Sequence, residues 1–243
     1  PPPPPPFFFQ AVAGIRAAQE SRGLGDVYKR QLHHRVVAGP RRGHLPDLAQ
    51  AGRTTEPAEM IPDHLLPALG KELFDWLRAL YPVWARVDPE MLSGATELAL
   101  AELLLAGCTT TSDHHYIYPA GLEPAVDIQA EVASRLGIRV TLTRGSMERS
   151  VKDGGLPPDT VVQNLDAILG DCERVVAAHH QTGPGAMIQV ALAPCSPFSV
   201  SGELMRETAV LANRLNVRTH THLGETEDEN QHCEEQFGMR PLD

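Results

Sequence analysis

A chain of 243 residues with a formal net charge of −10 lacks the basic balance that neutralises phosphates, which argues against a nucleic-acid partner. Its composition, 42% hydrophobic, supports one large core or two small ones, and none of its apolar runs reaches the roughly 18 residues that a membrane span needs. Four widely spaced cysteines without a Cys-x-x-Cys pair argue against a disulfide framework and favour a reducing cytoplasm.

The first 64 residues do not have the pattern of a folded domain. Pro and Phe runs over residues 1–9 are of low complexity, and residues 21–31 resemble the translation of a sequencing-library adapter. The remainder has neither a helical nor a strand period. We therefore predict a non-native or disordered segment over 1–64 and a folded domain over 65–243. The four histidines of the first segment receive no role.

From residue 65 the hydrophobic pattern predicts alternating helices and strands. We predict four strands, a short buried one over 108–113 and three others over 138–143, 186–193 and 217–222. Two helices precede the first strand, one from Leu73 that is interrupted at Pro82 and one that is capped by Asp88 and ends at Gly107. The helices that follow the four strands, in order, are predicted over 125–136, from Asp159 to about His180, from Ser201 to about Leu215, and over 227–237. Such alternation indicates parallel strands with right-handed helical crossovers.

Polar side chains follow each of the four predicted strands. They are Asp113, His114 and His115, then Arg144, then Cys195, and finally His222 with Glu225. In a barrel of alternating strands and helices, the carboxyl ends of the strands build the active site. A doubly wound sheet is the alternative fold, although no glycine-rich phosphate loop follows any strand.

The spacing of His220, His222 and Glu225 predicts metal-assisted hydrolysis. Residues i and i+2 of a strand face the same way, so both imidazoles should point to one side. Imidazole is a good ligand for zinc or iron, and a carboxylate close to the metal can move protons. The alternative is two strand histidines packed beside a loop acid.

The other polar side chains at the strand ends are candidates for substrate contact. The guanidinium of Arg144 could hold a carbonyl oxygen of a substrate. Asp113 and His114 either line the site or terminate their strand. Cys195 could line the pocket, and no neighbouring base suggests that it is a nucleophile. Further along, the acidic residues 227–229 are expected to form a solvated face at a helix N-terminus.

Several motifs together are similar to the amidohydrolase superfamily, and within it to its 8-oxoguanine deaminase and triazine aminohydrolase branch. The motifs are Glu72-Leu-Phe-Asp-Trp-Leu77, Ala101-Glu-Leu-Leu-Leu-Ala-Gly-Cys-Thr-Thr110, Ser112-Asp-His-His-Tyr-Ile-Tyr-Pro119, Asp153-Gly-Gly-Leu-Pro-Pro-Asp159, Ala193-Pro-Cys-Ser-Pro-Phe-Ser-Val200 and His220-Thr-His-Leu-Gly-Glu225. The resemblance begins at about Glu72 and extends to Asp243.

This resemblance implies a distorted (β/α)₈ TIM barrel, of which about strands 2–5 are present, and one divalent metal, zinc or iron. His222 matches the strand 5 metal ligand, and His220 is a further candidate ligand. Glu225 matches the glutamate that shuttles protons. The implied reaction is attack of a metal-bound hydroxide on an amidine carbon of a purine or triazine, with release of ammonia, and 8-oxoguanine is the favoured substrate.

The sequence also departs from the family pattern. The family has a His-x-His at strand 1, where this chain has the doubtful segment, and its ligands on strands 6 and 8 have no counterpart here. We therefore expect a truncated amidohydrolase that is inactive as written, from a parent that could form a homo-oligomer. A related triazine or guanine aminohydrolase and a non-catalytic truncated barrel are the alternatives.

Overall fold

The computed structural model describes residues 68–243, so the predicted segment 1–64 and its histidines lie outside the described residues. The elements are α1 (Leu73–Trp84), α2 (Pro89–Leu105), β1 (Thr110–Ser112), α3 (Ala125–Leu136), β2 (Arg139–Ser146), α4 (Leu165–His179), β3 (Ile188–Pro194), α5 (Gly202–Leu215) and α6 (Glu227–Phe237), with short 3₁₀ turns at Val151–Asp153 and Asp159–Val161. None of the helices in the described part is long and apolar enough to cross a membrane.

The strands form one parallel sheet in the order β1-β2-β3. Helix α3 connects β1 to β2, and helix α4 connects β2 to β3. Parallel neighbours require such crossover connections, because a tight hairpin can join only antiparallel strands. The register pairs Ser112 with Thr141 and Arg144 with Leu192, so the carboxyl ends of the strands lie at one edge. The predicted alternation of strands and helices is therefore confirmed.

The fourth predicted strand, 217–222, is less regular than expected. Within the described residues it forms one isolated bridge, between Thr219 and Leu192. Its backbone still follows β3, because the N–H of Leu192 donates to the carbonyl of Arg218 and the N–H of His220 donates to the carbonyl of Leu192, both at 3.0 Å. A segment with a neighbour on one side makes only half of the ladder bonds. The prediction was right about the position of this segment and wrong about its regularity.

Three other elements differ from the prediction for local reasons. Helix α1 continues through Pro82, because this proline lies within the last turn of the helix. Few backbone hydrogen bonds of the helix remain beyond that position to be disturbed. Helix α4 begins at Leu165 rather than at Asp159, because the side chain of Asn164 caps it. Strand β1 is partly exposed rather than buried, because β2 is its one partner in the described sheet.

Three apolar cores hold these elements together, and the smallest packs Leu92 of α2 against Tyr118, Leu122 and Ala125. The first lies between the sheet and helices α3, α4 and α5, and its strand members are Val140, Leu142, Ile188, Val190 and Leu192. The second lies where the strands end and includes Trp76, Leu80, Tyr81, Trp84, Met147, Cys195 and Phe198. Each large apolar side chain that is fully buried contributes about 1.5–3 kcal/mol. The second core therefore holds helix α1 beside the carboxyl ends of the strands.

Gly145 allows β2 to approach the chain that follows β1. Its N–H donates to the carbonyl of His115 at 3.0 Å. A Cβ added at position 145 would lie 2.0 Å from that carbonyl oxygen, a distance that real side chains do not tolerate. Because His114 precedes His115 directly, this close approach fixes the backbone beside a predicted site residue.

We expect Gly145→Ala to lower the free energy of unfolding by about 1–3 kcal/mol, which is the usual cost of overpacking. Gly170→Ala is the matched control, because Gly170 lies in α4 and an added Cβ there meets no heavy atom within 4 Å. Alanine at that position should stabilise the helix by up to about 1 kcal/mol. Urea denaturation measures both changes, and equal stabilities for the two variants would contradict the close approach.

Candidate active site

Three histidine rings meet at the carboxyl ends of the strands. His114 follows β1, and His220 and His222 lie on the segment beside β3. The ring of His114 stacks on the ring of His222, with centroids 3.9 Å apart and 1° between the planes. The centroid of His220 lies 4.5 Å from that of His114. These three residues, the histidine cluster, place His220 and His222 on the same side of their segment, as their spacing predicts.

The tautomer of His222 follows from its contact with Cys195. Nδ1 of His222 lies 3.0 Å from the carbonyl oxygen of Cys195. A carbonyl can only accept a hydrogen bond, so Nδ1 carries the proton and Nε2 carries the lone pair. Burial lowers the pKa of His222, and the neighbouring His220 lowers it further, so the ring stays neutral. A neutral imidazole with its lone pair on Nε2 is the form that binds metals.

His114 is a half-buried residue whose ring lies among other histidines. Burial lowers its pKa to about 2, and His222 and His220 lower it as well. Both ring nitrogens are buried, and a hydrogen bond with the backbone of Ala193 offsets part of the lowering of the pKa. The ring is therefore neutral at neutral pH, and a neutral imidazole has one nitrogen that can accept a hydrogen bond.

The histidine cluster does not by itself complete a metal site. Among residues 68–243, no group of three or more His, Cys, Asp or Glu side chains is arranged to hold a metal ion. A catalytic zinc takes about three protein ligands. His222 has the tautomer and the neutral state of one such ligand, and the carbonyl of Cys195 fixes its ring, as outer hydrogen-bond partners of ligands do. The described residues therefore fit one position of a ligand set.

Glu225 lies three residues after His222, between the segment beside β3 and helix α6. Its side chain reaches the surface of the described chain, but the protein around it excludes enough water to raise its pKa to about 7, and the charge of Glu229 raises it further. At neutral pH both forms of the carboxyl group are then populated. A group in this state can accept and donate protons during a reaction.

The raised pKa also predicts a pH-dependent effect on stability. The folded chain holds the proton of Glu225 more tightly than the unfolded chain, whose ordinary value is 4.5. The stability from this proton is complete below pH 4.5 and is lost as the pH rises through 7. We expect Glu225→Gln to resist urea better than the original chain at about pH 8, and to match it at about pH 4.5. A difference that is the same at both pH values would contradict the raised pKa.

Glu229 is a site residue that the sequence interpretation missed. Residues 227–229 were expected to be a solvated acidic face, but the side chain of Glu229 is completely buried. It accepts hydrogen bonds from the backbone N–H of Gly224 at 3.1 Å and of Glu225 at 2.6 Å. The signal was present, because Thr226 and Glu229 have the Ser/Thr-x-x-Glu spacing of a capping box. In a capping box Glu229 would accept from the N–H of Thr226, but here it accepts from the N–H groups of the loop that precedes Thr226.

Arg144 occupies a different place from the one that its predicted role requires. It lies on the same face of β2 as Val140 and Leu142, which pack against the helices, and its side chain is completely buried. Its guanidinium donates to Asp171 at 2.5 Å and to Gln163 at 2.8 Å. It also contacts the carbonyl of Gly145 and lies 4.0 Å from the ring centroid of Tyr118. These contacts join the sheet to the helix layer and leave the guanidinium no open face toward a substrate.

We expect Arg144→Met to lower the free energy of unfolding by about 3 kcal/mol, the lower end of the range for breaking a buried ion pair, because Asp171 keeps its bond to Arg174. Arg78→Met is the control, since Arg78 forms an exposed pair with Asp75 that is worth less than about 1 kcal/mol. Thermal and urea unfolding measure both variants. Unchanged stability of Arg144→Met, together with a raised KM, would restore the substrate role.

The structure places Asp113 and Cys195 close to the histidine cluster. Asp113 accepts hydrogen bonds at 2.7 Å from the N–H of Thr143 and from Nε2 of Gln129, so it ties the end of β1 to β2 and α3. Burial raises the pKa of Cys195 to about 12, so its thiol stays protonated. Its Sγ lies 3.9 Å from Nδ1 of His222. Asp113 and Cys195 therefore stabilise the backbone on which the candidate site is built.

Residues 61–243 match the amidohydrolase family, and the chain belongs to this family. The 8-oxoguanine deaminase of Pseudomonas aeruginosa is 58% identical over 177 residues, which are 73% of this chain and 39% of that protein. The hydroxydechloroatrazine ethylaminohydrolase of a Pseudomonas species is 40% identical over 173 residues, which are 71% of this chain and 36% of that protein. The chain thus spans well under half the length of these curated relatives.

Solved structures have the same fold. A variant of atrazine chlorohydrolase from Arthrobacter aurescens, complexed with zinc and atraton, matches with a TM-score of 0.68 at 28% identity and covers 73% of this chain and 40% of that chain. An adenosine deaminase from Xanthomonas campestris with bound zinc matches with a TM-score of 0.58 at 25% identity, over 74% of this chain and 37% of that chain. These matches confirm the predicted partial (β/α)₈ barrel and the predicted family branch.

Proposed function

We propose that the protein is a metal-dependent hydrolase that deaminates a purine-like ring, with 8-oxoguanine as its favoured substrate. The observation that carries this proposal is that His222 and Glu225, three residues apart in sequence, have the states that a metal ligand and a proton carrier need. The first is held as a neutral imidazole with its lone pair on Nε2, and the second has a pKa of about 7 three residues later. The 58% identity to an 8-oxoguanine deaminase supports the choice of substrate.

In this proposal His222 holds a divalent metal, zinc or iron, and His220 is a candidate for a second ligand. Such a metal lowers the pKa of water from 15.7 to about 7. Glu225 takes one proton from the attacking water and gives it to a ring nitrogen, and it then carries the second proton, from the added hydroxyl group, to the departing amine. Water adds at the ring carbon that carries the amino group, the exocyclic C–N bond breaks, and ammonia leaves. The net reaction exchanges an amino group for a carbonyl oxygen.

The remaining residues have supporting roles in the proposed site. His114 is the strongest candidate for substrate contact, since its ring lies at the strand ends and stacks on the ring of His222. Asp113 holds the end of β1 in place, and Cys195 lines the site beside His222. Arg144 is not proposed as a substrate contact, because its guanidinium already donates hydrogen bonds to Asp171 and Gln163.

The remaining proposals concern the whole protein. The folded part begins near residue 65, and the protein works in the cytoplasm, where its four cysteines, all free thiols, stay reduced. A triazine is the alternative substrate class, because a curated relative at 40% identity is a hydroxydechloroatrazine ethylaminohydrolase and a matching structure holds atraton.

The test is a substrate panel on the complete native reading frame that contains residues 65–243. Ammonia release is followed with 8-oxoguanine, guanine, isoxanthopterin and a hydroxytriazine, after loading with zinc or with iron. We expect the highest kcat/KM with 8-oxoguanine. A higher value with the hydroxytriazine would support the alternative, and release of ammonia from none of the four would contradict the proposal. Residues 1–243 alone should release no ammonia.

A further inference from the structure

The loop that carries Glu225 is anchored to the next helix by a buried side chain. The carboxylate of Glu229 accepts two backbone hydrogen bonds at once, from the N–H of Gly224 at 3.1 Å and from that of Glu225 at 2.6 Å. Gly224 has φ of 70°, a left-handed conformation that suits glycine. The two bonds therefore fix the turn that follows the histidine segment and set the direction in which Glu225 leaves the backbone.

The anchor itself is held firmly, because helix α6 packs on two other elements. The ring of His232 lies 6.2 Å from that of Phe74 in α1 and 6.4 Å from that of Phe198 after β3. Cys233 is buried on the same side of the helix as Glu229. A carboxylate with no exposure, on a helix packed in this way, has few other positions to adopt. Its two acceptor oxygens are consequently directed at the loop.

We propose that Glu229 is the positioning residue of the site, which holds the backbone of Glu225 and so fixes where the catalytic carboxyl group lies. The inference rests on the proposed function, in which Glu225 moves protons. Glu229 does not touch the substrate in this scheme. It acts through the two N–H groups that it accepts, and hydrogen bonds to an ionised acceptor are roughly twice as strong as neutral ones.

The charge of Glu229 gives the same residue a second effect on Glu225. Among the described residues, titratable groups that influence Glu225 or are influenced by it are Glu229 from α6, Tyr81 from α1 and Cys195 after β3. Burial keeps the Tyr81 phenol and the Cys195 thiol protonated, since it raises the pKa of both. The carboxylate of Glu229 is thus the neighbour that favours the protonated form of Glu225.

Amide hydrogen exchange tests the anchor without any assay of activity. In the unchanged chain the amides of Gly224 and Glu225 should be protected from exchange. Glu229→Gln removes the charge and turns one acceptor into a donor, and Glu229→Asp shortens the side chain by one methylene. Either variant should raise the exchange rate of these two amides by about tenfold or more. Glu234→Gln is the matched control, because Glu234 is an exposed acid of the same helix.

Kinetics then separate positioning from a general loss of structure. In an active protein, Glu229→Gln should lower kcat by about 10–100-fold with little change in KM, since a misplaced catalytic group affects the chemical step. The pH at which kcat is half-maximal should also move downward, while Glu229→Asp recovers part of kcat.

The outcomes distinguish the inference from the proposed function. An inactive unchanged protein with protected amides would overturn the proposed function and leave the anchor in place. If the amides of Gly224 and Glu225 exchange freely in the unchanged protein, the anchor is overturned. This outcome does not depend on whether any variant folds. An active protein whose Glu229→Gln and Glu234→Gln variants have the same kcat and the same pH profile would overturn the positioning role.

Discussion

Replacing Glu225 with glutamine should lower kcat for deamination by about 10²–10⁴-fold, because the amide keeps the shape of the side chain but cannot take up or release a proton. KM should change little, since the variant removes an interaction that matters in the transition state rather than in substrate binding. Steady-state ammonia release by the complete native reading frame measures both constants.

The control for this prediction is Glu227→Gln. Glu227 is exposed at the start of α6, where it accepts a hydrogen bond from Asn230, and its loss removes one negative charge close to the site. Its kcat should stay within about twofold of the original, as expected of a surface change. If both variants lose the same activity, a general effect of charge would replace the proposed proton transfer.

His222→Ala should weaken zinc binding by more than about 100-fold and abolish turnover. Loss of an outer partner of a metal ligand already costs 10–100-fold, so loss of the ligand itself should cost more. Zinc content after dialysis against a weak chelator measures the first effect. His220→Ala, at the second candidate position, should weaken binding by less, because the described structure fixes no comparable partner for its ring.

His179→Gln provides the matched control for these histidine changes. His179 lies at the end of α4 and pairs with Asp127 at 2.7 Å on the outer side of the helix layer. Its replacement should leave the zinc content unchanged. Zinc that stays bound in His222→Ala, at the original stoichiometry, would show that the metal is held elsewhere.

Most of the fold could be predicted because local signals agree with the tertiary structure. Helix α5 begins after Ser201, whose hydroxyl accepts from the N–H of Leu204, and α3 ends at Gly137, with φ of 71°. These features depend on neighbours in sequence. The irregular segment 217–222 could not be predicted, because its regularity depends on whether a strand pairs with its outer side.

Residue type and spacing predict the roles of His222 and Glu225, and both roles stay predictions. The substrate role predicted for Arg144 considered only its position at the end of a strand. It did not consider which face of the strand carries the side chain. Val140 and Leu142 have the same parity and are apolar, which indicates the helix-facing side. Glu229 was missed because burial of a carboxylate depends on a contact with the preceding loop, although the capping-box spacing was a usable signal.

The most direct test of the central claim is a crystal structure of the complete, zinc-loaded protein with anomalous data at the zinc edge. We predict a zinc peak about 2.0–2.1 Å from Nε2 of His222, with Nδ1 still bonded to the carbonyl of Cys195. The carboxyl group of Glu225 should lie beside the metal without binding it. A fully occupied zinc site in an active protein, with no contact to His222, would contradict the account.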